Sequence, residues 1–389
     1  MKKIVYLATL LLILTGCETL SQEPLEFTED SDSGFLNTNT FERYGSIVVE
    51  AGTAEKPVAM RLWYVRPDRL NADTPVVMVM HGGRRDANAY RGYWGAYANQ
   101  YGALIVVPEI SEADFPTGWG YQTGNWVTPD SSSVDASKGT RNPPEESSFA
   151  AVDRAFDSVR EAFALEANEY HLWGHGSGAQ FVARMVMLYP QARIGTAVAA
   201  NAGNYTFPDW TLPLRYGLKN TGIEESDLAP AYAHHLVIML GTADNDPSHR
   251  LLSQLDIARA QGAHRVEKGM NFYAANQAKA EALGMEFNWE LETVYGIGHS
   301  GQQMSRPGAR YLLAGKKEEA LFPLGNGSGR EPRRQHELLR GSSEEDDPFA
   351  DTEDLGSPGQ RESQDQHEAP PRPVQPGSVE EDDPFADMD

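Results

Sequence analysis

Cysteine is almost absent from this 389-residue chain, and basic residues are scarce. The only cysteine is Cys17, so no internal disulfide can form. There are 33 Lys and Arg against 56 Asp and Glu, and the basic residues form no cluster, which excludes the electrostatic footprint of nucleic-acid binding. No apolar run after residue 16 is long enough to span a bilayer. Neither cysteine nor carboxylate lies at metal-ligand spacing from the His234–His235 pair, so we predict no metal and no other cofactor.

The N-terminus has the pattern of an exported protein. Lys2 and Lys3 precede an apolar run over residues 4–14, which is too short to cross a bilayer comfortably. The run ends in Leu-Thr-Gly-Cys, which resembles the bacterial lipobox, where cleavage leaves the cysteine to be acylated. We therefore predict a signal peptide over 1–16, a flexible tether over 17–40 and a lipid anchor on Cys17 in the bacterial cell envelope. The alternative is an ordinary signal peptide with a chance cysteine.

The C-terminal segment, residues 317–389, differs in composition from the rest of the chain. Between residues 330 and 389 there are 6 basic and 18 acidic residues, and the octapeptide EEDDPFAD occurs at 344–351 and again at 380–387. So little apolar surface cannot offset the entropy of ordering, which predicts a disordered tail. The two phenylalanines in matching acidic frames fit a docking motif for a protein partner. A simple solvating extension is the alternative.

Between residues 41 and 316 short apolar runs alternate with helical patterns, which predicts a single α/β domain. Predicted strands lie at 46–49, 59–65, 75–80, 103–107, 170–173, 195–200, 235–240 and 287–294, and predicted helices at 149–163, 180–189, 270–283 and 302–313. The continuously apolar strands indicate a mostly parallel sheet of about eight strands, buried under helices on both faces. Two long irregular segments, 109–147 and 202–233, are expected to wall a cleft.

One short motif follows the fifth predicted strand and opens a helix. Residues 174–178 read Gly-His-Gly-Ser-Gly, in the strand–turn–helix context of a nucleophile elbow, G-x-S-x-G. The pattern places its serine at position 176, where this chain has Gly176. The nearest serine, Ser177, comes one residue late. Whether the protein performs chemistry depends on that offset.

Three other loops follow predicted strands and carry polar or glycine-rich sequences. His81-Gly82-Gly83 follows the third strand, and the glycines allow close approach of the backbone to a ligand. Asp244 follows the seventh strand, with Asp246 as the reserve candidate for an acidic role. His299 follows the eighth strand between glycines, where a histidine is able to reach into a cleft as a general base.

From about residue 61 to residue 313 the sequence resembles serine hydrolases of the α/β-hydrolase fold, of the secreted esterase and polyester-depolymerase kind. The resemblance implies an ester-like substrate, Asp244 and His299 as triad acid and base, and oxyanion donors at Gly82, Gly83 and the Ser177 N–H. The order nucleophile, acid, histidine is the one used by this fold. The departure is Gly176, where the family pattern reads Gly-His-Ser-x-Gly.

Two hypotheses follow from this departure. In the first, Ser177 is the nucleophile of a rearranged elbow. The rearrangement is needed because, in the ordinary register, Ser177 lies one residue step of about 3.5 Å past the nucleophile position. Its hydroxyl is then beyond the distance of about 2.6–3.2 Å at which His299 is able to take the proton. A shifted register would place His175 where the turn needs a small residue. Gly176 also leaves room for a water, with His299 as base and weak catalysis as the result. In the second hypothesis the protein is a pseudo-hydrolase that binds a ligand or serves as a scaffold.

Overall fold

The structure is a computed structural model that describes residues 41–130 and 139–314. The predictions for the signal peptide, the tether, Cys17 and the acidic tail concern residues outside the described ones. Among the described residues, no helix is both long enough and apolar enough to cross a membrane.

The described residues form a main sheet of eight strands and a separate two-stranded ribbon. The strands are β1 (Tyr44–Glu50), β2 (Ala59–Val65), β3 (Val76–Met80), β4 (Leu104–Glu109), β5 (Val127–Thr128), β6 (Thr140–Arg141), β7 (Tyr170–His175), β8 (Ile194–Ala200), β9 (His235–Gly241) and β10 (Glu290–Val294). Strands β5 and β6 form the ribbon, and the main sheet runs β1-β2-β4-β3-β7-β8-β9-β10. Strand β2 is antiparallel to β1 and β4, whereas all the pairs from β4 to β10 are parallel.

Helices cover both faces of the main sheet. They are α1 (Ala87–Tyr101), α2 (Thr117–Gly120), α3 (Ser148–Ala162), α4 (Ser177–Leu188), α5 (Leu228–Ala233), α6 (Asp256–Arg259), α7 (Arg265–Leu283) and α8 (Gly301–Ala314). Helices α1 and α8 bury one core with Trp94 and Met304, and α3, α4 and α7 contribute to a second core on the opposite face. The predicted fold class, a mostly parallel eight-stranded α/β sheet with helices on both faces, is confirmed.

Helix α1 was not predicted from the sequence, because its inward face carries no regular apolar repeat. Its buried residues include Gly95 and Ala98 beside Trp94, and its tyrosines are only partly buried. The helix is defined by its ends instead, since Asp86 caps the N-terminus by accepting from the Ala89 N–H at 3.0 Å and Gly102 ends it in a left-handed conformation. Helix α4 begins three residues earlier than predicted, at Ser177, which places that serine inside the helix.

Candidate active site

Four of the predicted segments meet at one edge of the sheet. Strands β3, β7, β9 and β10 are parallel, so their carboxyl ends point the same way. The residues that follow them are the glycine turn at 82–83, Gly176, Asp244 and His299. Ligands of open α/β sheets bind at this edge.

The elbow after β7 keeps the unshifted register. Gly176 has φ 56° and ψ −113°, a conformation that glycine adopts readily but that would strain a residue with a Cβ, and it joins the strand directly to α4. A Cβ on Gly174 would lie 2.3 Å from the carbonyl carbon of Gly178, and a Cβ on Gly178 would lie 2.5 Å from the Met80 oxygen. Only glycine fits at both positions, and these are the flanking glycines of the motif. The rearranged elbow proposed from the sequence is therefore wrong, and position 176 is the point of the turn.

Asp244 and His299 form a buried hydrogen-bonded pair. Nδ1 of His299 lies 2.7 Å from Oδ2 of Asp244, and the other carboxylate oxygen accepts from Arg265 at 3.2 Å. Burial raises the pKa of Asp244, but His299 and Arg265 outweigh burial and hold that pKa below its ordinary value. An ionised Asp244 fixes the tautomer of His299 with the proton on Nδ1 and presents Nε2 as the base.

The reserve acid, Asp246, lies outside this arrangement. Its carboxylate accepts hydrogen bonds from the backbone and hydroxyl of Ser248 in an exposed turn. These contacts lower its pKa. Asp246 therefore stabilises a turn, as aspartate often does, whereas Asp244 is the residue that bonds to His299.

Nε2 of His299 faces the elbow. A Cβ built on Gly176 would lie 3.4 Å from this atom and 3.5 Å from the neighbouring Cε1, with no closer contact to other atoms. The position where the motif would carry its serine is thus directed at the base. In this chain that position has no side chain, so the space beside Nε2 is open to other groups.

Ser177 is the first residue of α4 and is almost fully buried, with 2% of its surface exposed. Its hydroxyl oxygen accepts a hydrogen bond from Nε2 of Gln122 at 2.9 Å. That contact uses a lone pair and leaves the hydroxyl proton to be donated elsewhere. Ser177, Gly176 and His299 line one cavity of about 10 Å³, close to the volume at which one water molecule fits. The serine and the base therefore line the same small cavity.

The glycine turn after β3 is held in place by hydrogen bonds of the buried His81. Nδ1 of the buried His81 lies 2.9 Å from the Gly82 carbonyl, and Nε2 lies 3.1 Å from the Ile110 nitrogen. Both contacts require a neutral ring, because the carbonyl needs a donor and the N–H needs an acceptor. Burial lowers the pKa of His81 to about 3, which keeps the ring neutral. Tyr121 adds a hydrogen bond from its hydroxyl to the His81 carbonyl.

A larger cleft of about 330 Å³ opens beside His299. Its walls come from Tyr90 and Tyr93 of α1 and from residues 249–251, with Gly82 and His175 also lining it. The two irregular segments predicted as walls do not line this cleft with their described residues, although Gly203 lines the small cavity. Among the described residues no group of three His, Cys, Asp or Glu is arranged to hold a metal ion.

Two solved structures are similar to this chain over nearly their whole length. The poly(aspartic acid) hydrolase-1 of Sphingomonas sp. KT-1 is 37% identical with a TM-score of 0.63, and the match covers 70% of this chain and 98% of that one. The chain belongs to the α/β-hydrolase family. The LpqC poly(3-hydroxybutyrate) depolymerase of Bordetella parapertussis is 30% identical with a TM-score of 0.64, covering 76% and 94%. No protein-family model matches the sequence, and no curated protein sequence matches it either.

Sequence reasoning missed two site residues of this α/β-hydrolase, Gln122 and Arg265. Arg265 lies 21 positions after Asp244 in the chain and belongs to the next long helix, so no local motif connects them. Gln122 lies 55 positions before Ser177, in the turn that follows α2. Both are buried polar side chains whose partners become apparent only when the chain is folded.

Proposed function

We propose that this α/β-hydrolase cleaves ester-like bonds with Ser177 as nucleophile, His299 as general base and Asp244 as the residue that orients His299. The observation that supports this best is the buried Asp244–His299 pair, because His299 lines the same cavity of about 10 Å³ as Ser177. In the unshifted register the hydroxyl lies one residue step from the point of the turn, but proton transfer is also effective through one water. The shared cavity is close to the volume at which one water fits.

The proposed reaction has two steps. The Ser177 hydroxyl gives its proton to Nε2 of His299 while Oγ bonds to the substrate carbonyl carbon, and His299 then gives that proton to the departing alkoxide. In the second step a water attacks the acyl group and gives a proton to His299, which passes it to Oγ of Ser177 as the acyl–Oγ bond breaks and the carboxylic acid leaves. Backbone N–H groups at Gly82, Gly83 and Ser177 are the proposed donors to the oxyanion, and a nucleophilic serine that also donates its own N–H has a precedent in serine proteases.

The proposed substrate is an ester-like bond in a small molecule or in a polymer. Two of the similar proteins are named for hydrolysing poly(aspartic acid) and poly(3-hydroxybutyrate), which are both polymers. The cleft beside His299, about 330 Å³, has a volume suited to a few residues of such a chain.

The proposed location is the bacterial cell envelope, through acyl chains on Cys17. The basis is the lipobox-like sequence and the absence of any other cysteine. We expect the full chain to be labelled by radioactive palmitate in a bacterial host and to sediment with membranes. A Cys17→Ala chain that still takes up the label would contradict the anchor.

A comparison of four chains tests the proposed activity. We expect the wild type to turn over p-nitrophenyl esters slowly, and we expect Ser177→Ala and His299→Ala each to abolish the excess over buffer. Gly176→Ser gives the site an ordinary triad and is the positive control for folding and substrate choice. An inert wild type beside an active Gly176→Ser chain would show that the natural protein does not use this chemistry.

A second candidate function is ligand binding without turnover. The specific observation in its favour is Gly176. The elbow keeps its sharp turn and the point of the turn faces His299, but that point carries no nucleophile. In that case the cleft would hold an ester-like ligand or the domain would act as a scaffold. Binding of an ester that is unchanged after prolonged incubation would favour this function.

A further inference from the structure

Gln122 makes a contact to Ser177 that neither the motif nor the resemblance accounts for. Its amide nitrogen donates to Oγ of Ser177 at 2.9 Å, and both side chains are buried, with 3% and 2% of their surfaces exposed. The other end of the amide, Oε1, is buried and accepts no hydrogen bond from the described residues. The described contacts therefore hold the side-chain amide by its nitrogen, at Ser177.

The loop that carries Gln122 is tied to the helix that carries Ser177. The Gln122 carbonyl accepts from Nη1 of Arg184, which lies on α4 two turns after Ser177. Gly118 lies on the other side of the amide, where a Cβ would come within 2.9 Å of Oε1. The side-chain amide of Gln122 therefore lies against the backbone of Gly118, and its own backbone carbonyl is fixed by Arg184. Its N–H is directed at Ser177.

We infer that Gln122 is a positioning residue for Ser177, which deepens the proposed function and rests on it. Ser177 lies one residue past the point of the turn, so the turn does not orient its hydroxyl and another constraint is needed. The Gln122 N–H occupies one lone pair of Oγ and cannot accept the hydroxyl proton, so the proton is directed to another acceptor. In this way the amide selects the hydroxyl rotamer in which the proton is available to the base.

The test compares Gln122→Leu in two backgrounds. In the natural chain we expect kcat to fall about tenfold with little change in KM, because one neutral hydrogen bond that orients the nucleophile is lost. The second background carries Gly176→Ser with Ser177→Ala, so that the elbow itself orients the nucleophile. There the loss should be less than about twofold. Equal losses in both backgrounds would reduce Gln122 to a structural residue and overturn the inference.

The pH profile of Gln122→Glu gives a readout that a structural role would not produce. An ionised carboxylate accepts the serine proton and competes with His299, whereas the protonated acid donates as the amide does. The ratio of variant to wild-type kcat should therefore rise as the pH falls. A ratio that is constant with pH would contradict the inference.

A crystallographic comparison separates this inference from the proposed function. If the wild type shows no turnover, the proposed function fails, but the positioning of Ser177 is still observable. We expect one Ser177 rotamer in the wild type, with Oγ on Gln122, and several in Gln122→Leu. The same single rotamer in both crystal structures would show that Gln122 does not position the serine.

Discussion

Nε2 of His299 lies 3.4 Å from the point that a Cβ on Gly176 would occupy. His299 is therefore directed at position 176, as it would be if that position carried a serine. In this chain position 176 is glycine and has only a hydrogen atom in place of a side chain. The open space lies in the cavity that Ser177 also lines. The account proposed above depends on this space being used by the serine one residue further on.

Filling that space should stop the reaction. Gly176→Ala adds a methyl group in van der Waals contact with His299 and forces a non-glycine residue into a positive φ. We expect kcat/KM for a p-nitrophenyl ester to fall at least about tenfold. Gly92→Ala is the matched control, because a Cβ on this α1 glycine meets nothing within 4 Å. Undiminished turnover by Gly176→Ala would mean that the open space plays no part.

The flanking glycines of the elbow should be essential to the fold itself. Gly178→Ala would place a methyl group 2.5 Å from the Met80 oxygen, on a neighbouring strand whose backbone cannot move freely. We expect a loss of at least about 2 kcal/mol in the free energy of unfolding, measured in urea. Gly92→Ala, at an exposed position inside α1, should instead gain up to about 1 kcal/mol. A Gly178→Ala chain as stable as the wild type would contradict the register assigned to the elbow.

The buried ion pair behind the base should affect stability. Arg265→Met leaves one oxygen of Asp244 buried without its cation, and breaking such a pair costs about 3–5 kcal/mol. The pKa of Asp244 is held below its ordinary value. The contribution of ionised Asp244 to the free energy of unfolding is therefore complete at a pH above the ordinary pKa, and it is lost as the pH falls through the lowered pKa. Loss of Arg265 should move the acid unfolding midpoint to higher pH. Unchanged midpoints would show that the pair does not stabilise the site.

The neutral His81 predicts a second pH dependence. Its pKa lies at about 3 in the folded chain against 6.5 as the ordinary value, so its contribution to stability is present above pH 6.5 and is lost as the pH falls towards 3. The slope from this group is about 1.4 kcal/mol per pH unit. His81→Gln, which keeps one donor and one acceptor, should be less stable at pH 7 but should have a flatter dependence between pH 6.5 and 4.5. Parallel curves for the two chains would contradict a buried neutral His81.

The sequence predicted the framework of the site better than its interior. The strands were predictable because runs such as Val76–Met80 are buried on both faces and therefore continuously apolar. Gly82, Asp244 and His299 were located by counting strands, since parallel strands bring their carboxyl ends together. Helix α1 was not predictable, because Gly95 and Ala98 give its buried face no apolar period. Gln122 and Arg265 were not predictable because a buried polar contact between distant segments has no local pattern.

The acidic tail, outside the described residues, gives a prediction that is independent of the active site. If the duplicated EEDDPFAD segment is a docking motif, deleting the residues after Arg340 should remove specific proteins from those recovered with the full chain. Replacing Phe349 and Phe385 by alanine should have the same effect while keeping the charge. Identical recovered proteins from all three chains would leave the tail as a solvating extension.

The most direct test of the central claim is the site of covalent labelling by a fluorophosphonate, determined by peptide mass spectrometry. The reagent bonds to a serine only when a base takes the hydroxyl proton, so it reports on the Ser177–His299 pair directly. The account predicts one adduct per chain, on Ser177, that is absent from His299→Ala. A wild-type chain that remains unlabelled while Gly176→Ser is labelled would contradict it.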